Sequence, residues 1–213
     1  MKELIPDIYK RLHTAFGPQH WWPGDGPFEV MVGAILTQNT NWGNVEKAIN
    51  NLKASGVLDP LSIYKMDNST LSGLIRPAGY YNIKAERLKA FVGYFTKGYS
   101  GQVGKMEKRK TEVLRKELLD IKGIGPETAD SILLYALKRP VFVIDAYTKR
   151  VLSRHGILVG KADYNEFQEL FHLVLPEDVV LFNEYHALFV RLGKELCRPK
   201  PRCDGCPLHP LLP

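Results

Sequence analysis

The sequence predicts an all-α protein, and two observations carry this prediction. Apolar residues recur at helical spacing along nearly the whole 213-residue chain, whose hydrophobic content of 45% is enough for a core in one large or two small domains. The one run that resembles a strand, "PVFVI" at 140–144, is too short and isolated to build a sheet.

The predicted helices follow in chain order. The first covers 3–15, and after the loop "WWPGDGP" an apolar helix runs from Phe28 into a segment that ends in Gln38. A basic loop, 100–110, precedes the helix–turn–helix pattern "LLDIKGIGPETADSILLYAL" at 118–137. Further helices are predicted over 42–55, 68–76, 82–95, 147–156, 165–175 and 180–197.

Charge and composition narrow the class of protein. The formal net charge is 29 − 23 = +6 and the pI is about 9.1, which suggests an anionic partner. No apolar run approaches the length of a membrane span, and the N-terminal segment alternates charged with apolar residues, unlike a signal peptide. The three cysteines all lie within 197–206 and do not form a secreted disulfide framework. We therefore expect a cytoplasmic protein without a membrane partner.

The turn "KGIGPE" is the most informative local feature. Gly123 and Gly125 allow backbone conformations that other residues avoid, and Pro126 suits the first position of the following helix. Such a turn leaves backbone N–H groups at a helix start, where they can bind an anion such as a DNA phosphate. A tight corner that only stabilises a helix bundle is the alternative, and the turn alone favours that alternative.

The hairpin has four companion motifs along the chain. "FEVMVGAILTQNTNW" and "RPAGYYNIKAERL" precede it, "RPVFVIDAYTKRV" continues it, and "HALFVRLGKELCRPKPRCDGCPL" closes the chain. In this order the motifs resemble the helix-hairpin-helix, Gly-Pro-Asp superfamily of DNA glycosylases, which includes endonuclease III. The resemblance implies a two-lobed all-α fold, with a helical barrel over 22–135 that contains the hairpin. The second lobe would combine 1–21 with 136–213.

The resemblance also implies roles for individual residues. Asp145 matches the catalytic aspartate, and the hairpin matches the segment that grips a DNA phosphate. Gln38 matches the residue that fills the gap left by a flipped nucleotide. The implied DNA-binding residues are Gln38, Lys122, Gly123, Ile124 and Gly125.

Glu127 stands where bifunctional members of the family carry a lysine. A carboxylate cannot form a Schiff base, so the lyase route is expected to be closed. The alternative for Glu127 is a helix-start residue that the helix dipole favours, and both roles can hold at once.

Aromatic residues indicate the class of base. Trp21, Trp22 and Pro23 precede the apolar helix, and Trp42 follows "LTQNTN". With Glu127, this set resembles the 3-methyladenine DNA glycosylase branch of the endonuclease III family, in which aromatic rings and a proline stack on an alkylated base. The adenine-excising branch carries a glutamate acid a few residues before the glutamine. The segment "VGAILTQ" has no glutamate there, and Gly33 and its neighbours cannot protonate a purine.

These residues predict a monofunctional glycosylase for alkylated purines such as 3-methyladenine. Asp145 would stabilise the oxocarbenium-like transition state and assist water attack, and it would also cap the helix that follows it. Double-stranded DNA with damaged bases is the expected partner, which places the protein at the nucleoid, and a monomer is expected. The alternatives are an endonuclease III-like glycosylase for another damaged base and a catalytically inert helix-hairpin-helix DNA-binding protein.

The cysteine-rich tail leaves three alternatives open. Cys197, Cys203 and Cys206 fit three ligands of the [4Fe–4S] site that the family implies, but leucines occupy the region of the fourth, near position 212. His209 could complete the set or give a Cys3His zinc site. The third alternative is a degenerate site whose loop "RPKPR" still contacts phosphates.

Overall fold

A computed structural model describes residues 3–158 and 162–212. Within these ranges every regular element is a helix, which confirms the predicted all-α class. The chain divides into two compact units, one over Pro23–Arg139 and the other over Met1–Trp22 with Pro140–Pro213. The functional division into a barrel over 22–135 and a lobe that carries Asp145 stays a prediction.

The helices lie close to the predicted segments, with some differences. The predicted loop at 100–110 contains a short helix, and the first helix of the hairpin begins at Thr111 rather than at 118. The segment 140–144 forms no strand in the described residues. The α-helices are α1 Leu4–Phe16, α2 Pro27–Leu36, α3 Trp42–Ala54, α4 Pro60–Lys65, α5 Asn68–Leu74, α6 Tyr81–Tyr99, α7 Val103–Met106, α8 Thr111–Leu119, α9 Pro126–Ser131, α10 Ala146–Arg154, α11 Tyr164–His172 and α12 Val179–Glu195; a π-helical turn, Ile132–Ala136, extends α9.

Short polar side chains fix where several helices begin. Asn41 accepts a hydrogen bond from the backbone N–H of Asn44 at 3.2 Å, and Asp59 accepts from two N–H groups at the start of α4. Asp163 and Glu166 form a reciprocal capping box at α11. Each cap satisfies N–H groups that have no partner inside the helix.

The unit over 23–139 is built around α2 and α6. Helix α2 is buried on nearly all sides from Val30 to Leu36, so its sequence is apolar throughout rather than along one stripe. Helix α6 packs against α2, α4 and α5, and its Phe91 and Phe95 rings stack at 5.9 Å. Stacked rings in such a core add to the area that folding removes from water.

A lysine is buried in this core. Lys84 of α6 is 1% exposed, and its Nζ donates to the backbone carbonyls of Leu36 at 2.8 Å and Ala78 at 2.7 Å. These bonds satisfy a carbonyl at the C-terminus of α2 that has no partner within the helix. Burial, with a smaller contribution from the charge of Arg87, lowers the pKa of Lys84 from 10.5 to about 8.

The other unit holds an aromatic cluster. Phe142 stacks on Phe171 with ring centroids 3.8 Å apart, and Tyr185 of α12 donates its hydroxyl to the carbonyl of Ile5 at 2.7 Å. Helices α10 and α12 approach closely at Gly193, where an added Cβ would lie 2.3 Å from the Tyr147 ring. No helix within 3–158 and 162–212 is long and apolar enough to cross a membrane.

The lowered pKa of Lys84 predicts a pH-dependent stability difference. Between pH 8 and 10.5 the unfolded chain binds a proton that the folded chain releases, so rising pH favours the folded state. Lys84→Met lacks this group and leaves two carbonyls without a donor. As the pH rises through that window, the free energy of unfolding of the native chain should therefore increase relative to that of the variant, by up to about 1.4 kcal/mol per pH unit. Urea denaturation at pH 7.5, 8.5 and 9.5 measures the difference, and a constant difference would contradict the assignment.

Candidate active site and DNA interface

The predicted hairpin consists of α8, a turn over 120–125 and α9. Gly123 has φ +89°, a conformation that residues with a Cβ avoid. Arg115 of α8 donates two hydrogen bonds, of 2.7 and 3.0 Å, to the fully buried carboxylate of Asp130 on α9. This bidentate ion pair fixes the two helices on either side of the turn.

The hairpin residues differ in what they expose. Lys122 and Gly123 are exposed, whereas Ile124 is 5% exposed and anchors the turn in the core. Ile124 can therefore contribute to DNA contact through its backbone and not through its side chain. Gly125 is the N-cap residue of α9.

Gln38 lies beside this turn. Its Nε2 donates to the carbonyl of Gly123 at 3.0 Å and to Thr128 Oγ1 at 2.9 Å, and its Oε1 accepts a short hydrogen bond from Arg87 Nη1. The structure thus brings together Gln38 and the hairpin, which are separated by 85 residues in the chain. Sequence analysis missed Arg87 and Thr128; the available signal was the position of Arg87 inside the motif "RPAGYYNIKAERL".

Glu127 lies in the first turn of α9, where the helix dipole favours a carboxylate, and it is exposed. Its backbone carbonyl accepts a hydrogen bond from Ser131 Oγ at 2.7 Å. Trp42 is the first residue of α3 and is half-buried, and Pro23 is exposed.

Trp21 and Trp22 belong to the other unit. Both are half-buried, and their rings meet edge to face with centroids 5.5 Å apart. Lys194 Nζ lies 5.8 Å from the centroid of the Trp21 ring, within the range of a cation–π contact. The predicted base pocket draws Trp21 and Trp22 from one unit and Pro23, Trp42 and Glu127 from the other, and it stays a prediction.

Asp145 is the N-cap of α10, as predicted, and it is 7% exposed. Its Oδ1 accepts hydrogen bonds from the backbone N–H of Thr148 at 2.7 Å and from Thr148 Oγ1 at 2.8 Å. Its Oδ2 lies 3.6 Å from Nε2 of the buried His186 on α12. One carboxylate oxygen therefore fixes the side chain, and the other faces an imidazole that sequence analysis missed.

The surroundings of Asp145 favour its charged form. Burial raises the pKa of this carboxyl, but His186 and the two Thr148 donors outweigh burial, and the net pKa lies below the usual value of 3.8. Asp145 is consequently an anion at neutral pH despite being buried. A buried anion next to a reacting centre can stabilise developing positive charge more strongly than an exposed one.

The structure does not confirm the predicted metal site of the cysteine-rich tail. The described residues contain no group of three or more His, Cys, Asp or Glu side chains that could hold a metal ion. His209 is exposed, and Leu212 occupies the region in which the fourth cysteine was expected. Burial, followed by the neighbouring Cys197 and Cys203, raises the pKa of the Cys206 thiol in the metal-free chain.

Two arginines of α10 donate hydrogen bonds to the tail and to the end of α12. Arg150 donates to the carbonyls of Cys197 and Gly193, and Arg154 donates to Cys197 Sγ at 3.3 Å and to the carbonyl of Arg198 at 2.6 Å. A cavity of about 250 Å³ adjoins them, and it is lined mainly by apolar atoms; the lining includes Leu192, Leu196, Cys197, Cys203, Cys206 and His209.

Comparison with known proteins identifies the family. Residues 32–177 match the HhH-GPD superfamily of base excision DNA repair proteins, and the chain belongs to this superfamily. A protein of Methanocaldococcus jannaschii, named as a candidate DNA repair glycosylase, is 52% identical over 97% of this chain and 94% of its own length. Endonuclease III of Thermotoga maritima is 29% identical over 97% of this chain and 89% of its own.

A solved structure extends the likeness. The H. pylori 3-methyladenine DNA glycosylase bound to 1,N6-ethenoadenine has a TM-score of 0.79 and 30% identity, over 90% of this chain and 97% of that chain. Together these likenesses make the chain a DNA repair glycosylase with an endonuclease III-like fold.

The contact between Asp145 and His186 predicts a shift in the pH profile. His186→Gln removes the imidazole, so burial of the carboxylate is less well compensated and the pKa of Asp145 should rise. The lower pH limit of base release should then move upward. Single-turnover rates between pH 4 and pH 8 measure the shift in the native chain and the variant. Identical acid limits would show that His186 does not act on Asp145.

Proposed function

We propose that the protein is a monofunctional DNA glycosylase that excises alkylated purines such as 3-methyladenine by hydrolysis of the N-glycosidic bond. The observation that carries the proposal is the buried, anionic carboxylate of Asp145, which is oriented by Thr148 in a chain with Glu127 at the family's lysine position. An anion supports hydrolysis through an oxocarbenium-like transition state, and it needs no covalent enzyme intermediate.

Asp145 would act through the oxygen that the helix cap leaves available. Its Oδ1 is held by both Thr148 donors, so the carboxylate cannot rotate without breaking the cap of α10. Its Oδ2 is the oxygen that would face the positive charge developing at the deoxyribose and position the attacking water. The neighbouring His186, together with the Thr148 donors, lowers the pKa of the Asp145 carboxyl and so favours its charged form.

The substrate class follows from the leaving group. A purine methylated at N3 or N7 already carries positive charge and departs as a neutral base, so no general acid is needed. This suits α2, where the residues from Val32 to Leu36 are apolar or small and buried. Electron-rich rings such as Trp21, Trp22 and Trp42 would attract a cationic base more than a neutral one. The likeness to a 3-methyladenine glycosylase supports the same class.

The first test is a substrate panel. Single-turnover release of 3-methyladenine should exceed release of hypoxanthine or uracil by at least about 30-fold, because cation–π attraction of about 2 kcal/mol is available only to the charged base. Asp145→Asn should reduce release by roughly 10²-fold or more while damaged DNA remains bound.

Other outcomes of the panel would select the alternatives. Faster release of uracil or hypoxanthine would identify a glycosylase for another damaged base. Release of no base from alkylated, oxidised or deaminated duplexes, with binding intact, would leave a DNA-binding protein without catalytic function.

The second test addresses the absence of lyase activity. Because Glu127 cannot form a Schiff base, borohydride should trap no covalent complex during turnover, and strands should break only after alkali. Endonuclease III under the same conditions is the positive control. A trapped adduct of the native chain would refute monofunctionality, and Lys122→Met would then test the lysine nearest to Glu127 in sequence.

A further inference from the structure

Arg87 makes contacts that no role assigned above explains. It lies on α6, one helical turn after the buried Lys84, and its half-buried guanidinium donates to Gln38 Oε1. None of the ion pairs among the described residues involves Arg87. Its principal polar contact in the structure is therefore an uncharged amide, although a carboxylate would be the stronger partner.

The hydrogen bonds of Gln38 determine which way its amide points. Arg87 has donors only, so it must face the amide oxygen, and the carbonyl of Gly123 has acceptors only, so it must face the amide nitrogen. A flipped amide would set donor against donor and acceptor against acceptor. The second N–H of the amide is taken by Thr128 Oγ1. Gln38 is thus held in one orientation by groups from α6, the turn and α9.

The stem of Arg87 forms a second contact with the hairpin. A Cβ added at Gly123 would lie 2.4 Å from Arg87 Cγ and 2.8 Å from Cδ, so the methylene groups pack directly on the glycine backbone. Arg87 therefore contacts both Gln38 and the turn that is expected to bind the phosphate. A displacement of the turn would change the position of the guanidinium and, through it, of the amide.

We propose that Arg87 is a positioning residue that fixes the Gln38 amide and couples it to the hairpin before DNA binds. The inference rests on the proposed entry of Gln38 into the gap left by the flipped nucleotide. A preorganised side chain loses less conformational freedom on entering the DNA, which lowers the cost of the flipped state. Arg87 acts through Gln38 and contacts neither the base nor the sugar.

The test measures preference for damaged DNA without requiring base release. Dissociation constants are measured for a duplex with a tetrahydrofuran abasic analogue and for the undamaged duplex. Arg87→Met keeps the packing of the stem and removes the guanidinium. The preference for damage is the dissociation constant for the undamaged duplex divided by that for the abasic duplex. Arg87→Met should lower this ratio roughly 10-fold, which is the effect of one charged hydrogen bond, and it should leave binding to undamaged DNA unchanged. Arg87→Lys should restore part of the preference.

The double variant distinguishes the mechanisms. In the Gln38→Ala background, Arg87→Met should have no further effect if Arg87 acts through Gln38. If Arg87 binds a phosphate, Arg87→Met should weaken binding to both duplexes equally, and the slope of log affinity against log salt concentration should fall by about 1. This result would overturn the proposal. Lys122→Met, at an exposed lysine of the turn, provides the reference for this phosphate pattern.

Two further results complete the design. A lower melting temperature of Arg87→Met, with equal losses in both backgrounds, would mean a structural role and would also overturn the proposal. If Gln38→Ala alone leaves the preference for the abasic duplex intact, the role of Gln38 is wrong, whatever base the enzyme releases. The substrate panel is independent of all these measurements. A failure of the proposed glycosylase function can therefore be distinguished from a failure of the proposed role of Arg87.

Discussion

The buried ammonium of Lys84 is the contact on which the arrangement of the hairpin unit depends. It joins the C-terminus of α2 to α6 through the carbonyls of Leu36 and Ala78. An ammonium in an apolar core is costly, as its lowered pKa shows, and the two hydrogen bonds offset that cost. The consequence is a fixed register between the helix that ends just before Gln38 and the helix that carries Arg87. The contact with Gln38 requires that register.

Local signals in the sequence predicted elements of both units, and non-local packing decided the contacts between elements within each unit. The hairpin and the cap at Asp145 follow from residues within a few positions of each other, where turn and capping chemistry is specific. The contact between Arg87 and Gln38 spans 49 residues and depends on how α6 lies against α2. Helical periodicity places both residues on helices or at their ends, but it does not give the distance between helices.

The contacts of the cysteine-rich tail could not be predicted from the sequence either. Cysteine spacing and the family resemblance suggested a metal site, which the described residues do not confirm. In the structure the loop after α12 is held by Arg150 and Arg154, which are four residues apart on α10 and donate to its carbonyls and to Cys197. Arginine on a helix surface is common, so its spacing carried no prediction. These arginine contacts to the loop are visible only in the fold.

In the proposed mechanism Asp145 both caps α10 and takes part in the chemistry, and this combination has a physical cost. A catalytic carboxylate must be an anion in a water-poor site, yet burial favours its neutral form. The α10 N-terminus and Thr148 resolve the conflict, because the same donors that the helix must satisfy stabilise the charge of the carboxylate. His186 adds a partner on the remaining oxygen. Helix formation and activation of the carboxylate are therefore one interaction, and a substitution that weakens the cap of α10 should weaken both.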